Sequence, residues 1–150
     1  MSWPSVVLLA GGAERDAVEA RVRRLGVGED PLSDGDFLHW NGNSYALDFS
    51  GAVLADFEPD EIEDARRRLG TDPRAVYVSS QSMDAARTFL SYALRGVSGL
   101  IDTNHGDVIG FAEFVALIEK HPEWDWRRTG VRELLGRSDD SGGRPPREGA

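Results

Sequence analysis

The most constraining feature of the sequence is a continuous apolar run near its start, Ser5 to Ala10, which two glycines close. A run of β-branched and aliphatic residues without polar alternation predicts a strand buried on both faces, in the middle of a sheet. From Ala13 to Leu25 apolar residues recur at helical spacing, and Gly26 supplies a stop. The chain is therefore expected to open with a central strand, a tight glycine turn and a helix.

The next segment changes to the two-residue period of a strand. Phe37–Trp40 and Tyr45–Phe49 flank Asn41 to Ser44, whose Asn and Gly residues tolerate positive φ and therefore favour a hairpin. Ser50 and Gly51 permit another reversal into Ala52–Phe57. We expect these three segments to form an antiparallel meander.

The remainder of the ordered chain alternates helices with strands. The expected order is a helix from Glu58 to Gly70, a strand from Arg74 to Ser79, a helix capped by Ser82 and ended by Gly96, a hairpin of Leu100–Ile101 with Val108–Ile109, and a helix from Phe111 to Lys120. This order predicts an α/β (α+β) fold, a mixed sheet with an antiparallel meander covered by about four helices.

Length and composition indicate one domain. A chain of 150 residues with 40% hydrophobic residues is large enough to bury a single core. From residue 136 onward the composition shifts to Gly, Ser, Asp, Arg and Pro, which cannot form a core. We therefore expect a globular domain over 1–135 and a disordered tail over 136–150.

Several classes of site and location are disfavoured by composition. The sequence has no cysteine, which excludes thiol catalysis, disulfides and thiolate zinc sites. No cofactor motif is present, because the glycines after the first strand form neither G-x-G-x-x-G nor a Walker loop. Met1 to Pro4 carries no basic region, and the apolar run that follows is too short for a signal peptide or a membrane span. The expectation is a cytoplasmic protein without cofactor or membrane contact.

The charge balance points to a basic partner. The chain has 26 Asp and Glu against 17 Lys and Arg, for a net charge of −9. Such a field repels nucleic acid and speeds encounter with basic proteins, although it also serves plain solubility. The densest acidic segment opens the helix at Glu58. We take it as a partner-binding surface composed of Asp56, Glu58, Asp60, Glu61 and Asp64.

Two tryptophans, Trp124 and Trp126, are added to that surface. Two tryptophans separated by one residue do not face the same side of a regular element, which predicts that at least one is partly exposed. Exposed Trp beside Arg is typical of interface hot spots. The alternative is that both side chains close one end of the core.

An alternative function is calcium binding. The segment from Asp102 to Phe114 is similar to an EF-hand loop, with oxygen ligands at Asp102, Asn104 and Glu113. Gly106 stands where a further ligand is needed, and Asp107 stands where the sharp turn requires glycine. The competing interpretation is a β-hairpin whose turn leads into a helix.

A third hypothesis is a small enzyme. His105 has Asp102 and Asp107 nearby in sequence, which suggests a general base. A turn histidine in water explains the same residues. Binding of a partner, without catalysis, is the interpretation that we favour.

The segment from Gly99 to Arg128 resembles small uncharacterised actinobacterial proteins, some of which are similar to immunity proteins of polymorphic toxin systems. The residues that carry the resemblance are the turn Asn104-His105-Gly106, the helix with Phe114, and Trp124-Asp125-Trp126-Arg127. The resemblance implies a small inhibitor that covers the active site of a basic, nuclease-like toxin with acidic surface.

Overall fold

The computed structural model describes residues 3–29 and 35–141. The strands are β1 Ser5–Ala10, β2 Gly28–Glu29, β3 Asp36–Trp40, β4 Asn43–Asp48, β5 Arg74–Ser80, β6 Leu100–Asp102 and β7 Val108–Gly110. The α-helices are α1 Gly12–Arg23, α2 Pro59–Leu69, α3 Met83–Leu94, α4 Phe111–Lys120 and α5 Val131–Ser141, and a 3-10 helix spans Ala52–Asp56. The α+β class is confirmed.

The sheet has the order β2-β3-β4-β5-β1-β6-β7, and every pairing among the described strands is antiparallel. The prediction of a mixed sheet was therefore wrong. The prediction that β1 lies centrally was right, because β5 and β6 pair with it on either side. Burial on both faces is typical of parallel sheets, but an antiparallel sheet with helices on both sides produces the same sequence pattern.

The two faces of β1 belong to two separate apolar clusters. Val6 and Leu8 pack into the larger cluster, whose other members include the apolar residues of α1, α3 and α4. Val7 and Leu9 point the other way and join a smaller cluster, to which α2 contributes Ala65 and the 3-10 helix contributes partly buried residues. The sheet is thus the middle of three layers, and the apolar cluster on one of its faces is larger than the cluster on the other.

The predicted hairpin is confirmed, but the meander is not. β3 and β4 pair through a turn in which Asn41 has φ 55° and Gly42 has φ 79°. The third predicted strand, Ala52–Phe57, is a 3-10 helix followed by an extended residue, and β5 takes the place beside β4. Gly51 is left-handed at φ 82°, and the Ser50 hydroxyl accepts a hydrogen bond from the Ala52 N–H, which turns the backbone away from the sheet.

The helix α2 lies at the surface, as its narrow apolar stripe predicts, and Ala65 is its one buried residue. A reciprocal capping box at its start joins Glu58 and Glu61, and the Glu61 carboxylate accepts the Glu58 N–H at 2.8 Å. Gly70 ends the helix in a left-handed conformation. These two caps fix where the charged residues of α2 lie relative to the sheet.

The last described element of the chain is the helix α5. α5 extends through Ser141, whereas the sequence predicted a tail without structure from residue 136. The Asp107 carboxylate accepts the Val131 N–H at 3.0 Å, so the β6–β7 turn satisfies one of the free amides at the start of this helix. The rest of the predicted tail, residues 142–150, lies outside the described residues. No helix within 3–29 or 35–141 has the length and apolar character needed to cross a bilayer.

Candidate partner-binding site

The acidic residues of α2 fall into two groups, those that form ion pairs with arginines and those that form none with the described residues. Asp64 is engaged by Arg67 and Arg68, and Glu63 pairs with Arg66, as their spacing along the helix permits. In contrast, Asp60 and Glu61 form no ion pair with any described residue. Asp64 therefore does not belong to a free acidic surface, although the sequence placed it there.

The first turn of α2, which has no ion pairs with the described residues, lines a pocket to which two other elements also contribute carboxylates. Asp56 comes from the end of the 3-10 helix, Glu61 from the first turn of α2, and Asp102 from the end of β6. Asn104, in the β6–β7 turn, completes the polar lining of this cavity of about 260 Å³. We call it the acidic pocket. Glu58 and Asp60 lie beside it, exposed, in the same turn of chain.

The remaining walls of the acidic pocket are apolar or aromatic. Val7 and Tyr77 lie opposite each other on β1 and β5 and form its floor, and Val53 and Phe57 line it from above. An ionic contact beside such walls is less exposed to water than one on an open surface, and Coulomb interactions strengthen accordingly. Phe57 and Tyr77 also place two aromatic side chains in the lining, against which a flat cation can pack. The chemistry of the pocket suits a guanidinium or an ammonium group.

Asp102 is the least hydrated of these carboxylates. Burial raises the pKa of its carboxyl above the ordinary value, and the negative charge of Glu61 raises this pKa further. The Asn104 N–H donates a hydrogen bond to Asp102 Oδ1 at 2.8 Å, which opposes the rise in pKa. Keeping Asp102 ionised therefore lowers the stability of the folded protein.

That cost predicts that Asp102→Asn stabilises the protein at neutral pH. The folded-state pKa lies above the unfolded one, so ionisation favours the unfolded chain, and the penalty is fully present above the folded-state value. Asparagine keeps the acceptor for Asn104 and removes the charge, so the free energy of unfolding should rise by up to about 1 kcal/mol. Urea unfolding at several pH values measures this difference.

The gain from Asp102→Asn should shrink as pH falls through the folded-state pKa and vanish below the ordinary carboxyl range, where Asp102 is neutral in both states. Asp56→Asn is the control, because Asp56 is exposed, and it should change stability by less than about 0.5 kcal/mol. A destabilised Asp102→Asn protein at neutral pH would contradict this account of the pocket.

The segment of the calcium-binding alternative does not have the geometry of an EF-hand. β6 and β7 form an antiparallel hairpin, with Ile101 opposite Ile109, where an EF-hand needs an entering helix and an open loop. Asp102 faces the acidic pocket, whereas Glu113 is exposed on α4, which packs on the opposite face of the sheet. Among the side chains that the structure describes, no group of three or more His, Asp or Glu is arranged to hold a metal ion.

The residues of the enzyme hypothesis serve separate purposes. His105 is exposed in the β6–β7 turn, and its backbone N–H donates to the Thr103 hydroxyl at 3.3 Å. Asp107 is engaged by the start of α5, and Asp102 lies in the acidic pocket. The described residues show no contact between the His105 ring and either carboxylate. The structure thus does not assemble the pair that this hypothesis requires.

The prediction that Trp124 or Trp126 is exposed was wrong. Their exposures are 4% and 1%, and their ring centroids lie 5.5 and 5.2 Å from that of Phe114. The segment that carries them is a series of turns, so the periodicity of a strand or helix does not apply and both rings point inward. Neither ring is available to a partner. The exposed tryptophan is Trp3, at 38%.

The sequence analysis predicted neither the walls of the acidic pocket nor the contribution of β6 to it. Val53 and Tyr77 were assigned to strands, and nothing local indicated that they would share a cavity. Asp102 was considered only as a ligand for calcium and as a neighbour of His105. The available signal was that successive side chains of a strand lie on opposite faces, because Val7 and Tyr77 then occupy the same face as Asp102 once β5, β1 and β6 are neighbours.

Comparison with known protein families, with curated proteins and with solved structures finds no match to this chain.

Proposed function

We propose that the protein is an acidic binding module for a basic protein partner, and that the acidic pocket is the centre of its contact surface. The observation that carries this proposal is that three elements bring carboxylates without an ion pair to any described residue to one apolar-walled pocket. Elsewhere most described carboxylates are paired. Arginines engage Asp16, Glu19, Asp36, Glu63, Asp64, Asp72, Asp84, Glu119 and Asp125.

The competing explanation of the net charge is solubility. The uneven distribution of ion pairs among the carboxylates bears on this explanation. Charge that serves only solubility has no need of a particular place, and Glu14, Glu113 and Glu123 fit that description because they lie exposed on α1, on α4 and in the turns after α4. Asp102 does not fit it, since its ionised form is opposed by burial. Retaining a costly charge in a pocket is typical of a functional site.

The partner that we propose is a nuclease-like toxin, which this protein would inhibit by covering a basic substrate cleft. Two arguments support an inhibitor of this type. Proteins that cleave nucleic acid present positive surfaces to phosphates, so a compact acidic surface is complementary to them. The predicted likeness of residues 99–128 to small actinobacterial proteins, some of which are similar to immunity proteins, points the same way, although its tryptophans lie in the core.

The proposal is tested with two variants of equal net charge. The site variant carries Asp56→Asn, Glu61→Gln and Asp102→Asn, and the control variant carries Glu14→Gln, Glu113→Gln and Glu123→Gln. Each is used as bait in extracts of the source organism at low salt. We expect a basic protein bound by the wild type and by the control variant, and lost from the site variant.

The partner is then purified, and its affinity is measured by calorimetry. Contacts of this kind should weaken about tenfold or more between low and high salt, and about tenfold or more in the site variant. Inhibition of nucleic-acid cleavage by the partner tests the inhibitor hypothesis directly. Equal losses in the two variants, an affinity independent of salt, or capture of no basic protein would refute the proposal.

A further inference from the structure

The carboxylates of the acidic pocket differ in how many oxygens they can offer to a ligand, because some oxygens are already bound within the protein. Asp102 Oδ1 accepts the Asn104 N–H at 2.8 Å. Glu61 Oε1 accepts the Glu58 N–H, also at 2.8 Å. The Asp56 carboxylate accepts no hydrogen bond from the described residues. The oxygens that remain for a ligand are therefore distributed over three separate carboxylates.

These carboxylates reach the acidic pocket from two layers of the structure. Tyr77, Val7 and Asp102 stand side by side on β5, β1 and β6, on one face of the sheet. Neighbouring strands lie about 4.8 Å apart, so Asp102 stands at one side of the floor, about 10 Å across the sheet from Tyr77. Asp56 and Glu61 come from the 3-10 helix and α2, which cover this face. A single ligand thus meets carboxylates from the sheet and from the layer above it.

A guanidinium group matches acceptors placed in this way better than an ammonium group does. Its N–H donors point in several directions within one plane, so one group can donate to more than one carboxylate. An ammonium group is a compact point charge on a flexible stem, and it gains less from acceptors that are spread apart. The distribution of free oxygens therefore favours arginine over lysine.

The apolar lining of the pocket favours the same side chain. Val7, Val53, Phe57 and Tyr77 replace part of the water around any cation that enters. A guanidinium group is more weakly hydrated than an ammonium group, so it loses less on entry. Its flat face can also pack on the ring of Phe57, which is partly buried and adjoins Asp56 in the chain.

Building on the proposed function, we propose that the acidic pocket is an arginine site, into which the basic partner inserts one guanidinium group. The guanidinium lies between Asp102 on the sheet and the carboxylates of Asp56 and Glu61 above it, and it packs against Phe57. A lysine at the same place in the partner binds more weakly. The contact centre thus selects one type of basic side chain, beyond attracting positive charge.

The probes are N-acetylarginine N-methylamide and N-acetyllysine N-methylamide, which carry the same charge on the same blocked backbone. Each is titrated into the full-length protein at low salt, and the backbone amides of residues 57 and 104 are followed by NMR. We expect both amides to shift with either probe, and the arginine probe to bind about fivefold more tightly.

Phe57→Leu tests the aromatic wall, and Phe37→Leu is its matched control. Both phenylalanines are partly buried, but Phe37 lies on β3 and does not line the pocket. Leucine keeps the wall apolar and removes the ring. Phe57→Leu should therefore weaken the arginine probe about threefold and change the lysine probe by less than about twofold. Phe37→Leu should alter the binding of neither probe.

The results distinguish failure of the arginine site from failure of the proposed function. Equal affinities of the two probes for the wild type would overturn the arginine site and leave the acidic pocket as a general cation site. An arginine preference that persists undiminished in Phe57→Leu, or that falls equally in Phe37→Leu, would overturn it in the same way.

Glu61→Gln provides the separate readout of the proposed function. Glutamine retains an acceptor for the Glu58 N–H and removes the charge, so both probes should bind about threefold more weakly. Probe binding that is insensitive to Glu61→Gln, or the absence of shifts at residues 57 and 104 with tens of millimolar probe, would overturn the arginine site and also count against the acidic pocket.

Discussion

Replacing Gly99 with alanine is expected to lower the free energy of unfolding by about 3 kcal/mol. A Cβ atom at this position would lie 2.3 Å from Phe111 Cε2 and 2.9 Å from the Leu9 carbonyl oxygen. Phe111 is 1% exposed and Leu9 belongs to the central strand, so neither group has room to withdraw. Urea unfolding of the two proteins measures the loss.

Gly136→Ala is the control for Gly99→Ala. Gly136 lies within α5, and a Cβ added there meets nothing within 4 Å. Alanine is the better helix former, so this variant should be stabilised by up to about 1 kcal/mol. If Gly99→Ala cost less than about 1 kcal/mol, the close approach of Phe111 to the backbone of residue 99 would be refuted.

Arg87→Met is expected to cost about 2–3 kcal/mol. Arg87 is 9% exposed in α3 and donates to the Trp124 carbonyl oxygen, so it ties the tryptophan-bearing turns to the helix. Methionine retains most of the apolar stem and removes the charged donor, which leaves the carbonyl buried without that partner. Denaturant unfolding measures the loss, and tryptophan fluorescence should report a changed environment for Trp124.

The comparison variant is Asp84→Ala. Asp84 is the ion partner of Arg87, but its side chain is 91% exposed, so its removal should cost less than about 1 kcal/mol. Similar losses in the two variants would mean that the exposed ion pair, and not the carbonyl contact, anchors Arg87.

Local patterns in the sequence predicted the elements that depend on interactions between residues close in sequence. The β3–β4 hairpin followed from its turn residues, and α3 followed from a wide apolar stripe after Ser82, whose hydroxyl accepts the Ala85 N–H at 3.1 Å. The ion pairs that neutralise Asp64 could also be predicted, since arginines stand three and four residues after it. These features depend on residues within one or two turns of each other.

The errors arose where distant residues meet. Ala52–Phe57 has strand-like composition, but β5, which is distant in sequence, pairs with the edge of β4 that this segment would need. The direction of strand pairing and the inward orientation of Trp126 depend on packing that no local period reports. The acidic pocket is a case of the same kind, because its carboxylates come from three elements and only sheet order brings Asp102 to Glu61.

The position of β1 in the sheet determines the order in which this chain can fold as it is synthesised. β1 is translated well before both of its partners, β5 and β6. Until residues 74–102 emerge, the apolar strand Ser5–Ala10 has both edges open, and such exposed strands are prone to aggregate. Closing the sheet requires long loops to be ordered at once, so we expect slow folding in which β1 is among the last strands to be locked in place.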